Sequence, residues 1–303
     1  MILMNRLTRS AVVVAAALLL AGCGGAGGPG GSGAGLTVVA GFYPLEWAAE
    51  RVGGDRASVS SLTPPGAEAH DLELTPRDVV AVARSDLLVY LAGFQPALDQ
   101  ATDDEAADSA WDVGSAAGLI RTPGQHTGDD PVDPHFWLDP TRLATVGDAL
   151  AGRLTELDPD GAATYEQNAA ALRADLEALD GEMRAGLANC AVDTLVTSHE
   201  AFGYLADRYG FDMVGISGLS PSQEPDPEQL ARIATLVREK GVTTVYTETL
   251  VDPAVAETVA AEAGARTAVL DPIEALSDSS PGDDYLSVMR ANLATLQEGQ
   301  SCS

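Results

Sequence analysis

Residues 194–199 read TLVTSH, residues 212–217 DMVGIS, residues 242–248 VTTVYTE and residues 267–271 TAVLD. Each is a short run rich in β-branched and aliphatic residues. The gaps hold helical patterns at about 200–209, 227–240 and 253–264, and a further one follows at 283–298. Apolar strands of this kind, alternating with helices, predict a parallel sheet covered on both faces by its crossover helices. The same alternation runs upstream: LTVVAGFY at 36–43, a helical stretch at 44–52, ASVSSL at 57–62, a helix opened by Thr75-Pro76, DLLVYL at 86–91 and a weaker strand at 111–113. Two α/β lobes follow from this pattern.

Between them, after Asp158-Pro159, the spacing of Leu172, Leu176, Leu179, Met183 and Leu187 puts one apolar stripe on a single long helix. At 1.5 Å per residue such a helix is expected to reach roughly 43 Å, enough to run along both lobes and to resist wide hinge closure. An ordinary surface helix of one lobe is the alternative. The expected division is an N-terminal lobe at 36–157, a connecting helix at 158–188 and a C-terminal lobe at 189–303.

The first 35 residues stand apart. Arg6 and Arg9 precede an apolar run, Ala11 to Leu20, too short to span a bilayer comfortably. Leu20-Ala21-Gly22-Cys23 then resembles the bacterial lipoprotein signal, in which cleavage precedes a Cys that is acylated. Residues 1–23 thus read as the signal and its lipidated Cys23, and 24–35, GGAGGPGGSGAG, as a flexible tether. The protein is expected to be exported and held at the outer face of the cell membrane by that lipid. Loss of the two arginines moves the formal charge from −28 to −30. A field of that sign repels nucleic acid, which is excluded as a partner, and attracts cations. Cys190 and Cys302 are the remaining cysteines; in an exported chain they are most simply paired with each other, two free thiols being the alternative.

Only four histidines occur: His70, His126, His135 and His199. His199, Glu248 and Asp271 each end a strand pattern, and in open parallel sheets ligands bind beyond the carboxyl ends of strands. His70, in PPGAEAHDLELTP, and His135, in DPHFWLDP, suit a facing rim on the first lobe. A cleft between the lobes would then hold three imidazoles and at least one carboxylate. That donor set suits zinc, whereas calcium and magnesium want mostly oxygen and manganese fewer imidazoles.

HDLELTPRDV, DPHFWLDP, TSHEAFGYLADRYG and LDPIEALS, together with the lipoprotein start, resemble the metal-binding solute-binding lipoproteins of ABC transporters, in the zinc-uptake branch. The resemblance spans essentially the whole mature chain. It implies two lobes, each a four-stranded, mostly parallel sheet flanked by helices, joined by one long helix. It also implies capture of zinc(II) as the transported ligand and delivery to a membrane permease for import. Carried over block by block, the ligands are His70, His135, His199 and Asp271. A related manganese branch, the alternative within the family, has Glu where this chain has His199. Glu248 and Glu68 are left as supports behind the ligands, Glu68 with the alternative of a direct oxygen donor. A monomer is expected, with a metallochaperone as a further candidate partner.

The long His-rich loop of many zinc-uptake members is reduced here to His126 with Asp129 and Asp130, read as solvated loop residues. A filled four-ligand shell argues for carriage and against hydrolysis, so no enzyme is expected. The competing classes are a secreted zinc hydrolase with Glu248 or Glu200 as base, which lacks any HExxH motif, and an adhesin-like or organic-solute-binding lipoprotein, for which 5% aromatic residues offer little lining. Imidazole ligation predicts weaker binding as pH falls through about 6.5.

Overall fold

The computed structural model describes residues 35–119 and 132–303. The signal, the tether and Cys23, like His126, Asp129 and Asp130, lie outside the described residues.

The first sheet comprises β1 (Leu36–Ala40), β2 (Ala57–Ser61), β3 (Leu87–Tyr90) and β4 (Ala110–Asp112), in the order β2-β1-β3-β4. The second comprises β5 (Thr194–Thr197), β6 (Asp212–Gly215), β7 (Thr244–Thr247) and β8 (Arg266–Val269), in the equivalent order β6-β5-β7-β8. Every pairing is parallel. In each sheet the chain moves from its first strand to one side and then crosses to the other. This places a switch point, and hence a natural ligand crevice, at the carboxyl ends of β1 and β3 and of β5 and β7. The two four-stranded sheets expected from sequence are therefore present, with purely parallel pairing.

The crossover helices begin where the sequence supplies caps. α1 (Tyr43–Gly53), α2 (Pro76–Arg84) and α3 (Pro96–Glu105) all carry Pro in the first turn, where its missing N–H costs nothing. Thr75 and Asp78 form a reciprocal capping box on α2. α4 (Gly114–Ala117) is a single turn, and α5 (Pro140–Leu157) starts on Asp139, whose side chain accepts from the Thr141 N–H.

The long helix is shorter than the stripe suggested: a 3₁₀ turn at Pro159–Gly161 precedes α6 (Ala162–Gly186), 25 residues in length. Leu172, Leu176, Leu179 and Met183 are fully buried along it. They pack within one apolar cluster that also holds Val38 and Val89 of the first sheet and Leu195 and Tyr246 of the second. A common core thus joins the two sheets, which is stiffer than a linker would be. The second sheet is completed by α7 (Gly203–Tyr209), α8 (Pro227–Glu239), α9 (Ala254–Ala263) and α10 (Tyr285–Gly299). Among the described residues no helix is long and apolar enough to cross a membrane.

Cys190 and Cys302 lie side by side, at an isolated antiparallel bridge. The chain end is also held by backbone hydrogen bonds from Val192 to Gln300 and from Ser303 to Asn189, and by the Gln300 amide donating to the Thr194 carbonyl.

Candidate metal centre

Four side chains on four separate segments meet. His70 follows β2, His135 opens the 3₁₀ turn before α5, His199 lies two residues beyond β5, and Glu274 lies five residues beyond β8. One ligand atom from each falls within 4.8 Å of all the others. His135 Nε2 is 3.3 Å from His70 Nε2 and 3.4 Å from His199 Nε2. Glu274 Oε1 is 3.5, 3.4 and 3.3 Å from the Nε2 atoms of His70, His135 and His199. Five of the six separations among these atoms are thus 3.3–3.5 Å, close to the edge of a tetrahedron whose centre is about 2.1 Å from each vertex, the length of a zinc–nitrogen or zinc–oxygen bond, and the sixth, between His70 and His199, is within 4.8 Å. His135, His199 and Glu274 are buried, and the His70 side chain keeps 9% exposure, so the cluster is closed to all but narrow access.

The backs of two imidazoles are fixed by carboxylates. His199 Nδ1 donates to Glu248 Oε2 at 2.6 Å, while Glu248 Oε1 accepts the His199 backbone N–H at 3.0 Å. His135 Nδ1 and its backbone N–H both donate to Asp133 Oδ1, at 2.8 and 2.9 Å. Each pair commits Nδ1 to carrying the hydrogen and leaves Nε2 to face the cluster, as in carboxylate–histidine–metal triads. Asp133 is in turn fitted against Gly203, where an added Cβ would come within 2.6 Å of its Oδ2. Glu68 supports from below: its two oxygens accept the backbone N–H groups of His70 and Asp71, each at 3.1 Å.

Electrostatics follow from this packing. Burial alone lowers the His199 pKa, but Glu248 and Glu274 outweigh it and push the group up to about 10. His135 also rises, because Asp133 and Glu274 overcome its burial, whereas burial prevails at His70 and lowers it. Glu274 is held well below the usual carboxylate range, its burial being overcome by the three imidazoles. Glu68 is pushed up to about 8 by burial and by the neighbouring Glu274. The expected titration near 6.5 is therefore moved upward for His135 and His199.

The three histidines expected as ligands are brought together; Asp271 is not. It is buried two residues beyond β8, but its Oδ1 accepts the Ile273 N–H at 2.8 Å inside a turn of its own. That turn carries Glu274 to the imidazoles instead. Both carboxylates stand in the LDPIEALS stretch, and spacing in sequence does not say which of two carboxylates three residues apart faces the cleft. Asp133 was also missed, although DPHFWLDP places it two residues before His135. Glu248 lies behind the His199 ring, and Glu68 accepts from the backbone of His70 and Asp71.

Residues 38–299 match the model of the family described as zinc-uptake complex component A, periplasmic. The chain belongs to that family, ZnuA. Among ZnuA-family relatives, the high-affinity zinc uptake system protein ZnuA of Bacillus subtilis is 32% identical over 304 residues, covering 95% of this chain and 95% of that protein. The zinc-binding lipoprotein AdcA of Streptococcus pneumoniae is 33% identical over 299 residues, covering 93% of this chain but 58% of the longer AdcA. The zinc(II)-bound ZnuA-like domain of AdcA superimposes with a TM-score of 0.74 at 32% identity, over 88% of this chain and 99% of that one.

Proposed function

We propose that this chain is an extracytoplasmic solute-binding protein that captures zinc(II) between its two sheets and delivers it to an ABC permease for import. The observation carrying this reading is the buried set of three Nε2 atoms and one carboxylate oxygen, five of whose six separations are 3.3–3.5 Å. In this reading His70, His135, His199 and Glu274 are the ligands, and Glu248 and Asp133 hold two of the rings. Nitrogen-rich, four-coordinate binding favours zinc over manganese. With a carboxylate in the fourth position and both oxygens of Glu248 committed to His199, a metal-bound water and its base have no place, so carriage is favoured over hydrolysis. Relatives named as lipoproteins support a lipid on Cys23 as the anchor. The permease, loading by a metallochaperone, and a monomeric state are parts of the same proposal.

Calorimetric titration of metal-free protein with zinc and with manganese tests it. One zinc per chain, bound in preference to manganese, is expected; manganese preference or no binding rejects the reading. Because His199 is pushed up to about 10, its ring carries a proton on the cluster side near neutral pH, and zinc must displace it; His135 is shifted in the same direction. Affinity is therefore expected to climb as pH rises through the neutral range, by about tenfold per unit for each proton displaced. The heat of binding at pH 7 should accordingly vary with the ionisation enthalpy of the buffer, and a heat independent of buffer contradicts the proton count.

We also propose that Cys190 and Cys302 form a disulfide. At a sequence separation of 112, the cross-link is expected to contribute about 2–5 kcal/mol. Cys302→Ser should lower the unfolding free energy from denaturant titration by that amount under oxidising conditions and by nothing in excess reductant. Equal stability of the two proteins without reductant would mean free thiols.

A further inference from the structure

Ile273 has φ of 59°, and among the described residues only one other non-glycine, Ser301, has positive φ. A β-branched residue in the left-handed region is a genuine outlier that persists only where its surroundings over-determine it. The surroundings here are explicit. The Asn292 side chain on α10 accepts the Asp271 N–H at 3.0 Å and donates to the Asp271 carbonyl at 2.7 Å. Asp271 Oδ1 accepts the Ile273 N–H at 2.8 Å, the Trp137 indole donates to the Pro272 carbonyl at 2.8 Å, and Tyr43 N–H reaches the Glu274 carbonyl at 3.4 Å. Ile273 itself is fully buried. The bend lies between Asp271, two residues past β8, and Glu274, which reaches the three imidazoles.

We propose that Asp271 is a positioning residue for metal capture: clamped by Asn292, its carboxylate holds Ile273 in the left-handed turn that aims Glu274 at the three imidazoles. Asp271 does not touch the ion. The role asks of Asp271 a hydrogen-bond acceptor for the Ile273 N–H, which an amide oxygen also supplies. The inference rests on the reading of Glu274 as a ligand, and the experiment separates the two.

The probes are cobalt(II), read by its visible absorption, and zinc, read by competition with a chromophoric chelator, on the full mature chain. Asp271→Ala is expected to lower zinc affinity by about 10–100-fold, the range for groups that orient a ligand, and to shift the cobalt spectrum toward that of Glu274→Gln. Asp271→Asn, which keeps the acceptor, restores both. Adding Asp271→Ala to Glu274→Gln costs nothing further, because the two act on one ligand. Ile273→Gly reaches the same φ unaided; its cobalt spectrum should be parental and stay so when Asp271→Ala is added, which keeps the test open if Asp271→Ala alone does not fold. A parental spectrum and affinity in Asp271→Ala, failure of Asp271→Asn to restore them, or a spectrum that follows Asp271→Ala on the glycine background overturns the proposal. If Glu274→Gln itself leaves spectrum and affinity unchanged, the ligand reading falls and takes this inference with it.

Discussion

Replacing His135 with Ala is expected to lower zinc affinity on the order of 10²-fold or more, a larger loss than at any supporting residue. His135 is fully buried, and its Nε2 lies 3.3–3.4 Å from each of the other three ligand atoms. Zinc sites release roughly 10–16 kcal/mol on binding, so one ligand of four accounts for about 3 kcal/mol, which is more than a hundredfold. Removing the ring also leaves Asp133 buried without its imidazole partner. Glu248→Gln, by comparison, keeps an acceptor for His199 Nδ1 and should fall at the weak end of the 10–100-fold range for groups behind a ligand. His126→Ala should leave affinity unchanged. Competition against a zinc chelator orders the three variants, and a loss at His126 equal to that at His135 would place the ion elsewhere.

Zinc is expected to raise the melting temperature of the metal-free protein by about 10 °C when free zinc exceeds Kd by three orders of magnitude. A ligand that binds only the folded state contributes RT ln(1 + [L]/Kd), about 4 kcal/mol under that condition, and a chain of this size gains roughly 2–4 °C per kcal/mol. The ion would tie together four segments that follow different elements, after β2, before α5, after β5 and after β8. Local unfolding of any one of them then requires losing the ion. A chelator should reverse the shift, and His135→Ala should abolish most of it without lowering the metal-free melting temperature to match. A melting curve indifferent to zinc and chelator would contradict a site that closes the cleft.

The stiffness of the frame bears on release. α6 buries Leu172, Leu176, Leu179 and Met183 in a core shared by both sheets. Wide separation of the sheets would expose that core, whereas the loops carrying His70 and Glu274 sit at the rim. Gly66, in the loop that carries His70, donates to the Leu276 carbonyl at 2.8 Å, just past Glu274.

The strand and helix succession was legible from residues alone, because apolar runs of four or five alternating with amphipathic stretches are a local property of the chain. TLVTSH and VTTVYTE announce β5 and β7, and Thr75-Pro76 announces the start of α2. The ends of parallel strands then pointed to His199 and Glu248, since the handedness of the crossovers leaves ligands one rim to occupy. His70 and His135 were scarce residues in loops, and that scarcity with the family resemblance was enough to single them out. What the sequence could not supply was the path of the chain after β8. Asp271 and Glu274 are both acidic and both in the matching block, and a left-handed turn at Ile273 lies between them. The turn is hydrogen-bonded by Asn292 and Trp137, which lie 19 and 136 residues from Ile273 in the chain and meet it only once α10 and the His135 loop have packed. A local pattern fixes which residues can ligate; contacts between distant segments decide which of them arrive.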